Sequence, residues 1–295
     1  MSTLDIPASW RQIEPQSLHG NLLVVGAPDV GKSTFARYLF HRLLSAGVQA
    51  AYIDGDPGQN QLGPPSTLTL LIPQAPDFYH LEPDVIPKGK TWMTFIGSTT
   101  PVGHMLPMLT GAALLERIAR QAGVHSLVFD SDGLVQPPAG GLALKLAIID
   151  LLHPTTVFAI QRERELEMLL SPLRRTQRTR LVELSPSPAT QLRSRAARQA
   201  HRAAQFVAYF KSARPLTLNW STIAVLPYPR FSLHRLVALE DSGGFVLALG
   251  IVQGIDRLAR QVTLLAPPSS AQDVDTLRLG DLALDPGTYR DQQIP

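Results

Sequence analysis

The stretch Gly26-Ala27-Pro28-Asp29-Val30-Gly31-Lys32-Ser33-Thr34 constrains the fold of this chain more than any other. Its spacing is G-x-x-x-x-G-K-[ST], and its flanks matter as much as the pattern. Leu22-Leu23-Val24-Val25 is a short apolar run of the kind a buried parallel strand needs. Residues 33–46 then carry Phe35, Tyr38, Leu39 and Leu43 at helical spacing, and Gly47 is placed to end the helix. In a strand, glycine loop and helix, the two glycines let successive backbone N–H groups converge on phosphate oxygens, and the helix adds its positive end. Lys32 supplies a mobile charge for the outer phosphates and Ser33 a hydroxyl for Mg²⁺. The pattern implies a nucleoside triphosphate as ligand.

The remainder predicts an α/β fold, with a parallel sheet flanked by helices of the P-loop NTPase type and a small C-terminal β-rich module. Residues 1–19 read as a tail with one packed turn around Trp10, residues 20–214 as the main domain and 215–295 as the β module. Strands are expected at 50–53, 93–96, 126–129, 155–160 and 180–184, and helices at 106–121, 141–152, 163–170 and 189–210. The proline-rich stretch 72–90 reads as a long surface loop. After Pro215, β-type runs at 223–226, 233–239, 245–251 and 261–265 are separated by Pro, Gly and Asp. Alternating strands and helices imply a sheet covered on both faces, with its ligand site at the carboxyl ends of the strands. Lys32, the Asp54-Gly55-Asp56-Pro57-Gly58-Gln59 segment and Asp130 all fall at that edge.

Composition excludes some classes. No apolar run approaches the roughly 18 residues that span a bilayer, and nothing near the start reads as a secretory signal. The chain has no cysteine, which removes disulfides and thiolate metal sites. The expectation is a cytoplasmic protein without membrane contact. The net charge is only +3, but arginine supplies most of the positive charge and concentrates between Arg162 and Arg214. Arginine forks grip phosphates, so the bias is consistent with a phosphate-rich partner, and equally with a solvated helical face.

Asp54 and Asp56 follow a strand beside the phosphate loop, where a carboxylate can hold Mg²⁺ through water or accept a proton from an attacking hydroxyl. An Asx turn would use the same residues. Asp130 ends its strand where many phosphate-loop enzymes place a metal-associated acid, and Asp132-Gly133 reads as the turn that follows. Arg198 and Arg202 lie one turn apart on a predicted helix. Such a helix can be an exposed face or a lid that neutralises charge on a transferring phosphoryl group.

Several segments together resemble one family. Residues 52–59 are similar to a D-x-D-x-G-Q motif, and Pro64-Pro65-Ser66-Thr67-Leu68-Thr69-Leu70 to a P-P-G-x-x-S-L stretch. Residues 95–101 resemble a G-x-T-S-P turn, and 140–154 a helix before L-x-P-T. Arg193-Ser194, Arg198, Arg202 and Tyr209-Phe210 resemble an arginine-bearing lid helix, and 250–256 with 278–280 a C-terminal β module. In this order they resemble the polynucleotide 5′-hydroxyl kinases that include the messenger-RNA cleavage-factor and ribosomal-RNA-processing kinases, in a short form without the N-terminal domain of larger members.

The resemblance implies transfer of the γ-phosphoryl group of ATP, with Mg²⁺, to the 5′-hydroxyl end of RNA or DNA. It implies that Lys32, Ser33 and Thr34 bind phosphates and Mg²⁺, and that Asp54 and Asp56 activate the hydroxyl, with Asp56 as base. Gln59, Pro64, Pro65 and Thr67 would clasp the nucleic-acid end, Thr99 and Thr100 contact its phosphate, and Arg193, Arg198 and Arg202 act from the lid. The chain departs from the family at Asp130 and Asp132, where Asn-Thr is expected, and at Ser66, which replaces a glycine. Rival readings are a non-catalytic ATP-binding scaffold of an RNA-processing assembly and a kinase for a small nucleoside or metabolite.

Overall fold

The computed structural model describes residues 6–74, 86–188, 190, 192–268 and 273–294. These fall into two compact units, one drawn from residues 1–56, 69–91 and 108–193, the other from 57–68, 92–107 and 194–295.

The elements in chain order are α1 (Ala8–Arg11), β1 (Gly20–Gly26), α2 (Lys32–Ser45), β2 (Ala50–Gly55), β3 (Thr67–Pro73), β4 (Gly89–Phe95), α3 (Met105–Gln121), β5 (Ser126–Ser131), α4 (Gly141–Leu152), β6 (Thr156–Ile160), α5 (Glu167–Leu173) and β7 (Arg180–Leu184). The first sheet runs β4-β3-β2-β5-β1-β6-β7. From β2 to β7 neighbouring strands are parallel. The central β1 is buried on both faces, with Leu22, Leu23, Val24 and Val25 fully covered. Trp10 of α1 is also buried, its ring edge-on to Phe35 at 5.1 Å. Among the described residues no helix is long and apolar enough to cross a membrane.

Three differences from the sequence expectation have local causes. The sheet is mixed, because β3 runs antiparallel to β2 with Tyr52 opposite Leu71 and Asp54 opposite Thr69. No helix lies between these two strands, and a parallel return would need a crossover. The stretch read as a loop at 72–90 also contains the end of β3 and the start of β4, while residues 75–85 lie outside the described ones. The helix expected from residue 163 starts at Glu167. The Glu165 carboxylate accepts from the N–H groups of Arg162 (2.8 Å) and Glu163 (3.0 Å), a turn that competes with helix.

In the second unit, α6 (Arg195–Tyr209) is followed by β8 (Arg214–Asn219), β9 (Ala224–Leu226), β10 (Arg235–Glu240), β11 (Val246–Asp256), β12 (Gln261–Ala266), β13 (Thr276–Leu284) and β14 (Asp291–Gln293). Ser194 caps α6 by accepting from Ala197 N at 3.1 Å, so the helix begins six residues later than its periodicity predicts. The sheet order is β14-β13-β10-β11-β12-β8, with β9 paired to β13. Alternate residues of β10 enter opposite cores. Leu236 and Ala238 join Phe206 and Phe210, while Val237 and Leu239 join Val252 and Leu264. Pro215, which cannot donate to a ladder, sits on the edge strand β8.

Candidate active site

In the first unit the glycine loop connects β1 to α2 with Gly31, at φ 94°, capping the helix. A side chain at Gly26 would meet Ile160 O at 2.6 Å and Val30 Cγ2 at 2.7 Å, so the loop's first corner leaves room only for glycine. Asp29 (φ 57°) is the loop's other left-handed residue. Its carboxylate accepts from the backbone N–H of Arg193 (3.0 Å) and from Arg193 Nε (3.1 Å), and its carbonyl accepts from the Arg162 guanidinium. Val30 is fully buried, and Ser33 and Thr34 lie in the first turn of α2.

Lys32 is buried, and its Nζ donates to Ala27 O at 2.8 Å. Among the described residues no carboxylate forms an ion pair with it. Burial lowers its pKa, opposed by the charges of Asp130 and Asp56. Asp54 and Asp130 are register partners on β2 and β5, which brings the ends of these strands together. Asp54 accepts from Asp56 N at 3.4 Å, and Asp56 is half-buried. Asp130 is 1% exposed. Its Oδ2 accepts from Tyr52 Oη at 3.1 Å, whereas Oδ1 is buried without a partner among the described residues. Burial lifts its pKa to about 6, against the ionising influence of the Ser33 hydroxyl and Lys32. Burial, with Asp130 and Asp54 nearby, pushes the Tyr52 phenol up as well.

Sequence reasoning missed a second buried lysine. Lys145 on α4 donates to Asp132 Oδ2 at 2.6 Å, with both side chains almost fully covered. Asp132 Oδ1 accepts from Leu134 N at 2.7 Å, and a side chain at Gly133 would meet the loop's Pro28 at about 3 Å. The pair therefore pins the segment after β5 where it packs on the phosphate loop. The signal was present: Lys145 falls on the same helical face as Gly141, Ile148, Ile149 and Leu152, all buried.

In the second unit, the 57–68 segment is held by its own polar groups. Asn60, fully buried, donates to Thr67 O (2.9 Å) and accepts from Leu62 N and Gly63 N, while Thr67 Oγ1 donates to Pro64 O (2.8 Å). Pro64 and Pro65 are buried, and Gln59 Nε2 donates to Gly58 O at 2.6 Å. Ser66 occupies the left-handed region at φ 74°, which is the physical reason a glycine suits that position. The turn at 97–100 is seated by Asp281 N donating to Gly97 O at 2.8 Å, and Thr100 N donates to Ser98 Oγ at 3.2 Å. Thr99 and Arg202 both donate to Asp291. Arg198, on α6, is half-buried.

Comparison with known proteins bears on the family and the fold. The polyribonucleotide 5′-hydroxyl-kinase of Methanocaldococcus jannaschii is 28% identical over 206 residues, covering 69% of this chain and 54% of that protein. The chain thus spans about half the length of that curated relative. The polyribonucleotide 5′-hydroxyl-kinase of Pyrococcus furiosus is 26% identical across 94% of this chain and 92% of its own length. A solved Clp1p–Pcf11p complex contains a chain of the same fold, with a TM-score of 0.64 at 12% identity, covering 90% of this chain and 74% of that one. Residues 26–212 match the family described as mRNA cleavage and polyadenylation factor CLP1 P-loop, and the chain belongs to that family.

Proposed function

We propose that this member of the CLP1 P-loop family is a polynucleotide 5′-hydroxyl kinase that transfers the γ-phosphoryl group of ATP to the 5′-hydroxyl end of RNA or DNA with the help of Mg²⁺. The observation that carries the reading is Lys32. It is a buried lysine whose ammonium donates to a backbone carbonyl inside a phosphate loop, with Asp130 and Asp56 close enough to act on its charge. A cation placed so is matched to an incoming phosphate. Relatives named as polyribonucleotide 5′-hydroxyl-kinases supply the acceptor.

Asp130 and Ser33 fit a metal-associated pair, because the buried Oδ1 of Asp130 has no partner among the described residues and the Ser33 hydroxyl acts on the Asp130 carboxyl. Mg²⁺ needs only one or two protein oxygens when phosphates and water complete its shell. We assign it to Ser33 and Asp130, with Asp54 beside them. When bound, Mg²⁺ offsets charge on the phosphate oxygens.

The residues of the chain do the rest. The 26–34 loop, through its backbone N–H groups other than at Pro28, and the Lys32 ammonium hold the phosphates. Asp56, half-buried and unconstrained by a strand, accepts the proton of the attacking 5′-hydroxyl. The hydroxyl oxygen bonds to the γ-phosphorus as the bond between that phosphorus and the β,γ-bridging oxygen breaks, and ADP leaves. Arg193, Arg198 and Arg202 neutralise the transferring group, and Gln59, Pro64, Pro65, Thr67, Thr99 and Thr100 hold the acceptor strand. Most of the rate gain then comes from positioning and fixed charge.

The test is transfer of labelled γ-phosphate from ATP to matched 5′-hydroxyl RNA and DNA oligonucleotides, with Lys32→Ala as control. Label on the oligonucleotide with wild type alone supports the reading, and the RNA-to-DNA ratio names the substrate. ATP binding without label on either would leave the scaffold or small-molecule reading.

A further inference from the structure

Asp291, on the three-residue strand β14, is the meeting point of Thr99, which the proposed function gives to the acceptor strand, and Arg202, which it gives to the transferring group. Thr99 Oγ1 donates to its Oδ2 at 2.8 Å. Arg202 Nε donates to Oδ1 at 3.1 Å, and Arg202 Nη2 lies 3.0 Å from Oδ2. The Asp291 side chain is 7% exposed and that of Arg202 16%. Thr99 and Arg202 thus form a built oxyanion site, and its occupant is a carboxylate of the same chain.

A carboxylate and an internucleotide phosphodiester make the same demand on such a site. Each carries one negative charge spread over two terminal oxygens, and each suits an arginine fork plus a hydroxyl donor. We infer that the Thr99–Arg202 cluster is a phosphodiester subsite that Asp291 fills in the absence of nucleic acid, so that a backbone phosphate of the acceptor binds by displacing β14. This inference rests on the kinase reading for the identity of the strand, and on the geometry alone for the anion site.

The strand is suited to leave. Among the described residues it pairs with β13 alone, at the edge of its sheet, through Leu282 with Gln293, Ala283 with Gln292 and Leu284 with Asp291. Beyond Thr99 and Arg202, its other ties among the described residues are single hydrogen bonds: Gln199 Nε2 to Asp291 O (3.2 Å), Gln293 Nε2 to Ser98 Oγ (3.1 Å) and Ile294 N to Asp281 O (2.9 Å). Edge elements with so few bonds open at low free energy. Displacement also returns the Asp291 carboxylate to water as the phosphate takes its donors, so the charge exchange is near balance.

The experiment compares wild type, Asp291→Asn, and Asp291→Asn combined with Arg202→Gln, all with ADP present to fill the phosphate loop. Asp291→Asn should bind a fluorescent 5′-hydroxyl oligonucleotide about tenfold more tightly than wild type, the factor expected if Asp291 fills the site about nine-tenths of the time. Inorganic phosphate should raise the melting temperature of Asp291→Asn and not of the double variant. In wild type, hydrogen exchange at residues 291–293 should quicken when the oligonucleotide is added, a readout that does not depend on any variant folding. Unchanged or weaker oligonucleotide binding by Asp291→Asn, with no phosphate effect and no loss of protection at 291–293, would make Asp291 a structural brace and overturn the inference. Phosphate stabilisation of Asp291→Asn without oligonucleotide binding by any form would support the anion site and overturn the kinase reading instead.

Discussion

Lys32 and Arg202 are both cations shielded from water, and they are held in opposite ways. Lys32 donates to a neutral carbonyl, and among the described residues no carboxylate is in ion-pair contact with it, although the charges of Asp130 and Asp56 act on it. Arg202 is given a carboxylate of its own at 3.0 Å. A cation buried without an anion is a binding site kept in readiness, because the cost of its desolvation is recovered when an anionic ligand arrives. A cation buried with an anion is at rest until something removes the anion. Lys145 makes the contrast sharper, since it shares the unit of Lys32 but is matched to Asp132 at 2.6 Å. Of the two lysines buried among the described residues, one donates to a backbone carbonyl and the other is matched to a carboxylate.

The largest expected effect breaks the site that is ready. Lys32→Ala should reduce phosphoryl transfer about a thousandfold, as loss of a fixed charge at a transition state does, with a melting curve close to wild type. Full activity in this variant would remove Lys32 from the mechanism. Lys145→Met tests the opposite arrangement. It strands Asp132 as an uncompensated buried charge and should destabilise the protein by roughly 3–5 kcal/mol, measured by denaturant unfolding. Adding Asp132→Leu should restore part of that loss, and no recovery would mean that the pair acts through more than its charges.

Asp130 sharpens the comparison through pH. Its carboxyl is lifted from an ordinary 3.8 to about 6, so between those values the folded protein holds a proton that the unfolded chain has released. The stability this group contributes is present in full below pH 3.8 and is lost as pH rises through 6. The melting temperature of wild type should therefore fall across that window relative to Asp130→Asn, which has no such group. The same variant should lose stabilisation by Mg²⁺ and ATP at neutral pH. A constant difference between the two proteins across the window would contradict a carboxyl raised by burial. The smallest effect belongs to Ser66→Gly. Relief of a left-handed serine at φ 74°, offset by glycine's greater freedom when unfolded, should stabilise by up to about 1 kcal/mol.

Much of the fold was legible because much of it is locally encoded. The strand before the glycine loop, the helix after it and the buried strands of the central sheet announce themselves by apolar runs and helical spacing, and the structure has them within a few residues. Elements whose boundaries depend on side-chain caps were placed less well. The Glu165 turn delays α5, and the Ser194 cap delays α6. Edge strands were harder still. β8 carries a proline and β14 has three residues, so neither shows the alternation that marks a half-buried strand.

By itself the sequence determined the phosphate loop, the carboxylates Asp54, Asp56 and Asp130 at the ends of neighbouring strands, and an α/β sheet to carry them. Each follows from spacing within one element or from the rule that parallel strands end at a common edge. Only the tertiary structure decided which charges are matched. Lys145 finds Asp132 across a turn, Asp29 finds Arg193 from far along the chain, and Arg202 finds Asp291 near its end. An ion pair forms between residues whose separation in sequence carries no pattern, because burial and geometry select the partner. The chain order could name the cations of this protein, but only the fold could say which of them were already occupied.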